Sequence, residues 1–170
     1  MIEPAQLILD ELKKNEIRFV VTVPDNWLKE LLRLVADDKD LVQVPVAREE
    51  EGVGICTGFY LAGKESVLII QNSGFFLCCN ALKSLALKYR IPLLILISNR
   101  GSLEEDASHH IASGKGLVTV PLLKALQIPY LEVSCPEEAG RISEALNFAR
   151  TSRQPVAVIL GKRALVSTEE

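Results

Sequence analysis

Six short apolar runs punctuate the chain, at 19–23, 42–46, 67–71, 93–98, 130–133 and 156–160, and most lack any polar/apolar alternation. A strand with one wet face alternates, whereas a strand covered on both faces reads as a continuous apolar run. The intervening segments carry helical spacing, as in Leu7, Ile8 and Leu12 behind Pro4. Helices are expected at 4–14, 27–36, 48–62, 77–89, through residue 126 and at 137–151, with 99–115 a long polar connection. This pattern predicts an α/β fold: a doubly wound, mostly parallel six-stranded sheet with helices on both faces, in flavodoxin-like layering. One domain over 1–165 and a short tail at 166–170 account for the 170 residues. The order of the strands is not written in the pattern.

Charge and cysteine usage remove whole classes of function. The net charge is −3 and the pI about 5.5, so no basic field attracts nucleic acid or anionic lipid. No apolar run approaches the roughly 18 residues of a membrane span. The amino terminus reads as an acidic amphipathic helix rather than a signal peptide, so a cytoplasmic location is expected. Cys56, Cys78, Cys79 and Cys135 have no CxxC spacing, and there are only two histidines. Buried free thiols are expected, and no zinc site.

Right-handed crossovers bring the connections that leave the strands to one rim, where α/β proteins build sites. Four of these connections are unusually polar: Val23-Pro24-Asp25-Asn26, Arg48-Glu49-Glu50-Glu51, Asn72-Ser73-Gly74 (expected as a turn) and Asn99-Arg100-Gly101. The loop after the fourth strand adds Ser108-His109-His110. Three acids in a first helical turn suit the helix dipole. Successive helical residues point about 100° apart, so the three cannot all face solvent, and one can enter the cleft. Gly52, Gly54 and Gly58 each cost the helix about 1 kcal/mol against alanine. Gly54 and Gly58, four apart, form a smooth face for tight packing inside the domain or for the close approach of a ligand or another helix.

Two phosphate motifs nearly match. Gly58 to Lys64 has P-loop spacing, but Glu65 replaces the Ser/Thr that holds magnesium, and the segment ends a helix rather than opening one. Gly52-Val53-Gly54 begins like a dinucleotide fingerprint, but Thr57 stands in place of the third glycine, and the glutamates repel a pyrophosphate.

Taken together, these residues resemble the pyrimidine-binding (PYR) domain of thiamine-diphosphate enzymes, and within it the sulfopyruvate decarboxylase alpha-subunit family, followed by phosphonopyruvate decarboxylases. The carriers are Val23-Pro24-Asp25-Asn26 with Leu28, Leu31 and Leu32; REEEGVGICTGFYLAGK from Arg48; and Gln71-Asn72-Ser73-Gly74 with Asn80-Ala81-Leu82. Asn99-Arg100-Gly101 with the loop to His110 and Gly114, then Pro121-Leu122-Leu123 and Ile128-Pro129-Tyr130, extend the likeness along nearly the whole chain.

The resemblance implies a mechanism and a partner. In that family one glutamate hydrogen-bonds the aminopyrimidine ring of the cofactor and so promotes loss of the thiazolium proton. Counting nine residues back from Gly58 places it at Glu49. The family's acid after the first strand matches Asp25, and its loop histidines match His110 and His109. Asn72, Ser73 and Gly74 match the loop beside the cofactor. For an anionic substrate group, Asn26, Arg100, His109 and Lys115 are the candidates. One departure is Phe75-Phe76 where relatives carry Leu-Gly, a change expected to reshape the pocket. The family holds magnesium and diphosphate through Gly-Asp-Gly, yet this chain contains neither Gly-Asp nor Asp-Gly. The resemblance therefore implies thiamine diphosphate shared with a beta subunit that carries the diphosphate-binding (PP) domain and the Mg2+. The implied reaction converts 3-sulfopyruvate to sulfoacetaldehyde and CO2 in coenzyme M biosynthesis. A split phosphonopyruvate or other 2-oxo-acid decarboxylase remains open at this point, as does a non-catalytic α/β assembly module.

Overall fold

The computed structural model describes residues 3–102 and 108–167. Its strands are β1 (Phe19–Thr22), β2 (Val42–Pro45), β3 (Ser66–Gln71), β4 (Leu94–Ser98), β5 (Tyr130–Val133) and β6 (Val156–Leu160). All pair in parallel, in the order β2-β1-β3-β4-β6-β5. The helices are α1 (Pro4–Lys14), α2 (Lys29–Asp37), α3 (Glu49–Leu61), α4 (Asn72–Ala81), α5 (Ser108–Ser113), α6 (Lys115–Leu126) and α7 (Arg141–Ser152). The doubly wound parallel sheet expected from the apolar runs is the one observed.

Two apolar clusters sandwich the sheet, and the strands divide their side chains between them. Val20, Val67, Ile69, Leu94, Leu96, Val156 and Val158 face α1, α2 and α7. Val21, Leu68, Ile70, Ile95, Ile97, Ala157 and Ile159 face α3, α4 and α6. Successive strand residues point to opposite faces, so both halves of each run must be apolar. The central strands β3, β4 and β6 are buried almost throughout, which is why their runs do not alternate.

This winding fixes where a site can form. From β1 the chain moves outward to β2, and from β3 it moves the other way to β4. With right-handed crossovers, α2 and α4 therefore leave on opposite faces, opening a crevice at the carboxyl ends of the adjacent β1 and β3.

Several expected boundaries move. Asn72-Ser73-Gly74 is not a turn: these residues are the first turn of α4, which starts directly at the end of β3 and continues into a π-helical segment, Leu82–Leu87. The connection expected at 99–115 contains α5, and the helix expected at 137–151 divides into a 3-10 turn at Pro136–Glu138 and α7. α2 begins at Lys29 rather than at Trp27, because turn hydrogen bonds from Leu28 N and Lys29 N to Asp25 O and Asn26 O come first. Val166, expected in the tail, packs half-buried against the first cluster, and 168–170 lie outside the described residues. Among the described residues, no helix is long and apolar enough to cross a membrane.

Candidate active site

Helix α3 is set low on the sheet by one glycine. A Cβ on Gly52 would lie 2.6 Å from Leu68 Cδ1 and 3.3 Å from Val21 Cγ1, so a larger residue would have to push Leu68 aside to make this approach to β1 and β3. Glu49 lies three residues earlier, on the same side of the helix. Seating Gly52 on the strands therefore carries Glu49 over their carboxyl ends. There its side chain rests on a second glycine: a Cβ on Gly74 would collide with the Glu49 carboxyl. Glu49, at the start of the helix after β2, and Gly74, from the helix after β3, thus meet at the crevice.

The structure gives the three glutamates three different tasks. Glu51 Oε2 accepts from Ala47 N and Arg48 N at 3.2 and 3.3 Å, closing the amino end of α3 as the acidic half of a capping box. Glu50 pairs with Arg48 at 2.6 Å, while its Oε2 is buried with no hydrogen-bond partner. Glu49 rests against Gly74 in the first turn of α4. The sequence left these roles open because capping and cleft entry depend on where the chain leaves β2.

Asn72, the first residue of α4, is fully buried. Its Nδ2 donates to Arg100 O at 2.7 Å, with Asn99 Oδ1 at 3.2 Å and Thr119 Oγ1 at 3.3 Å. Its Oδ1 has no partner, a loss worth about 1–3 kcal/mol for a buried acceptor. Thr119 Oγ1 also donates to Asn99 Oδ1 at 2.8 Å, tying α6 to the end of β4. Sequence reasoning missed Thr119. Its signal was a lone hydroxyl in an apolar helix, three residues from Gly116 and four from Leu123, on the buried side. Gly116 is a further close approach, since a Cβ there would collide with the backbone of Gly101 and Ser102.

Asp25 and Arg100 meet in the same rim. Arg100 Nη1 contacts Asp25 Oδ1 at 3.3 Å, and both side chains are 8% exposed. The guanidinium stacks on Trp27, 4.8 Å from the ring centre. Asp25 Oδ2 accepts from Trp27 N at 3.1 Å and from Ser98 Oγ at 3.0 Å. Ser98 and Trp27 were also not singled out from the sequence.

The remaining candidates are more dispersed. Ser73 is half-buried and donates to Gln71 Oε1 at 2.5 Å. Asn26 and Lys115 are exposed, Lys115 at the start of α6 on the same edge of the sheet. His109 and His110, expected in a loop, lie in α5, and their side chains fall outside the described part of the structure. Phe75 and Phe76 pack into the second cluster. The cysteines are free thiols. Burial pushes Cys56 up to about 12, and burial with the charges of Glu49 and Glu50 pushes Cys78 well above the usual thiol range. Among the described residues, no group of three or more His, Cys, Asp or Glu is gathered as metal ligands.

A parallel doubly wound sheet, with an acid seated on a glycine at its switch point, is consistent with a pyrimidine-binding domain of the thiamine-diphosphate kind. The comparisons with known proteins agree. The chain is 43% identical, over 92% of its length and 93% of the relative, to "Sulfopyruvate decarboxylase subunit alpha" of Methanococcus maripaludis. It is 39% identical over 89% of both chains to the protein of the same name from Methanocaldococcus jannaschii. It also matches "Sulfopyruvate decarboxylase" of Methanosarcina acetivorans, at 31% identity over 95% of this chain but only 41% of that longer relative. The chain belongs to the sulfopyruvate decarboxylase alpha-subunit family. No protein-family model matches it.

Proposed function

We propose that this chain is the alpha subunit of a cytoplasmic thiamine-diphosphate-dependent decarboxylase that converts 3-sulfopyruvate to sulfoacetaldehyde and CO2 in coenzyme M biosynthesis. The observation that carries this reading is the seat of Glu49 on Gly74 at the switch point, in a chain of this family. The site fits the pyrimidine half of the cofactor: it offers a carboxyl aimed across the crevice and a buried amide oxygen, Asn72 Oδ1, without a partner. When bound, the cofactor supplies the electron sink that lets a 2-oxo acid lose its carboxylate. Glu49 holds and returns a proton at the pyrimidine ring. Ser73 and Gly74 line the ring's approach, and His110 lies in α5. Lys115, His109 and Asn26 are the cationic or hydrogen-bonding candidates for the sulfonate.

The diphosphate half belongs elsewhere. Three glutamates opening α3 repel a diphosphate, and the Gly-Asp pair that would fix magnesium is lacking. A beta subunit carrying the PP domain and Mg2+ completes the site. The single-chain relative supports this reading, because this chain accounts for less than half of its length. The outer surface of the α3, α4 and α6 layer supports it too. A Cβ at Gly54 or Gly58 would meet nothing, and Leu61, Leu77 and Leu117 stand 74%, 54% and 68% exposed nearby on these helices. Of the two roles open to those glycines, internal packing is therefore filled by Gly52 alone, and the open pair suits a close-fitting partner.

Decarboxylation of 3-sulfopyruvate with thiamine diphosphate and magnesium tests the proposal. The expected result is turnover only when this chain is mixed with a PP-type subunit, and preference for 3-sulfopyruvate over 3-phosphonopyruvate and pyruvate. Turnover of another oxo acid instead overturns the substrate, and a verified complex inactive on every acid overturns the enzyme.

A further inference from the structure

We propose that Arg100 and Asp25 act as a positioning pair for the rim rather than as a substrate ligand and a proton carrier. This rests on Glu49 being the group that meets the cofactor. The guanidinium of Arg100 is already committed on two sides, paired with Asp25 and stacked on Trp27, with its side chain 8% exposed. An anionic substrate group would have to compete with a carboxylate already in place and displace an aromatic face. Asp25 is equally occupied: Oδ1 faces Arg100, while Oδ2 accepts from Trp27 N and Ser98 Oγ.

The pair leads by direct contacts to Glu49. The carbonyl of Arg100 accepts the 2.7 Å hydrogen bond from Asn72 Nδ2. Asn72 opens the helical turn that contains Gly74, and Gly74 carries the Glu49 carboxyl. One residue thus fixes the loop after β1 through its side chain and the helix after β3 through its backbone. Those two connections form the walls of the crevice. A buried ion pair is weak as a device for stability, because desolvating both charges offsets most of their attraction. Its value here is geometric: the planar fork and stacked face of arginine hold one orientation that lysine cannot reproduce. Asn99 and Thr119 brace the same Asn72 amide from the other side.

The test uses the assembled complex and 3-sulfopyruvate, with Arg100→Lys, Asp25→Asn and the double variant measured beside Glu49→Gln. A positioning role predicts that Arg100→Lys lowers kcat by about tenfold to a hundredfold with KM within about threefold. Asp25→Asn gives a similar loss, and both limbs of the pH–rate profile stay in place. The double variant loses no more than the worse single one, because both break one unit. Trp27→Phe keeps the charges and hydrogen bonds but weakens the stacked face. It gives a smaller fall in kcat, again without a KM change, in a variant that retains the ion pair. A tenfold or greater rise in KM with kcat preserved in Arg100→Lys would make Arg100 a substrate ligand. Loss of a pH limb in Asp25→Asn would make Asp25 a proton carrier, and either result overturns the proposal. An inactive wild-type complex, or an active Glu49→Gln, shows instead that the underlying assignment of function has failed.

Discussion

Two ion pairs of equal length sit at opposite ends of the same sheet. Before the amino end of β3, Glu65 meets Arg150 at 3.3 Å with side chains 41% and 34% exposed. Beyond the carboxyl ends of β1 and β4, Asp25 meets Arg100, also at 3.3 Å, with both side chains 8% exposed. The first is a solvated contact. It costs little to form and contributes little. The second is desolvated, joined to a buried amide network, and close to two buried oxygens without partners, Asn72 Oδ1 and Glu50 Oε2. A fold that needed only stability would have built both ends like the first. Uncompensated polarity collected at one end marks where the chain gives up stability for geometry.

Substitutions at the two ends sharpen this contrast. Of these, the largest effect is expected from Gly74→Ala, because its methyl group takes the place of the Glu49 carboxyl. Activity of the complex should fall about tenfold to a hundredfold, as displacing a reacting group by around 1 Å does. The far-ultraviolet circular dichroism of the chain should be unchanged. A variant with wild-type kcat/KM would show that Glu49 does not need this seat. Next comes Gly58→Trp on the open face of α3. The free chain should keep its denaturation midpoint, since nothing lies within 4 Å of the new Cβ. Affinity for the partner subunit should weaken about tenfold or more if this face lies in the interface. Titration calorimetry reads this directly, and unaltered affinity would move the interface elsewhere. The smallest effect belongs to Glu65→Gln at the amino end, with less than about 1 kcal/mol of stability lost in urea unfolding. Its kcat should match the wild type, and a large loss would mean that the two ends are coupled.

The contrast also separates what the sequence carried from what it did not. The layers were legible because periodicity reports burial: continuous apolar runs at β3, β4 and β6 allow no solvated face. Glycines were legible as a group but not in their roles. A Cβ on Gly52 would meet Leu68, whereas one on Gly54 or Gly58 would meet nothing, and only the tilt of α3 on the sheet distinguishes them. Asn72-Ser73-Gly74 misled because all three residues favour turns. Here the Asn72 side chain is held by Arg100 and Asn99, so the helix begins without a linker. The pairing of Asp25 with Arg100 was not accessible, because the residues are 75 apart and meet only once β1 and β4 are placed two strands from each other. Thr119 and Ser98 were lost for the same reason: one hydroxyl in an apolar segment carries no meaning until its partners are known.

The central claim is that Glu49, rather than either neighbouring acid, activates the cofactor. Its most direct test is turnover of 3-sulfopyruvate by complexes assembled with Glu49→Gln, Glu50→Gln or Glu51→Gln. Glu49→Gln is expected to lose about a hundredfold or more of activity with assembly intact, the range expected when a proton-transferring group is removed. Much smaller losses are expected at Glu50, which pairs with Arg48, and at Glu51, which caps α3. Activity within about fivefold of wild type in Glu49→Gln, against the hundredfold that general acid–base catalysis supplies, would contradict that claim.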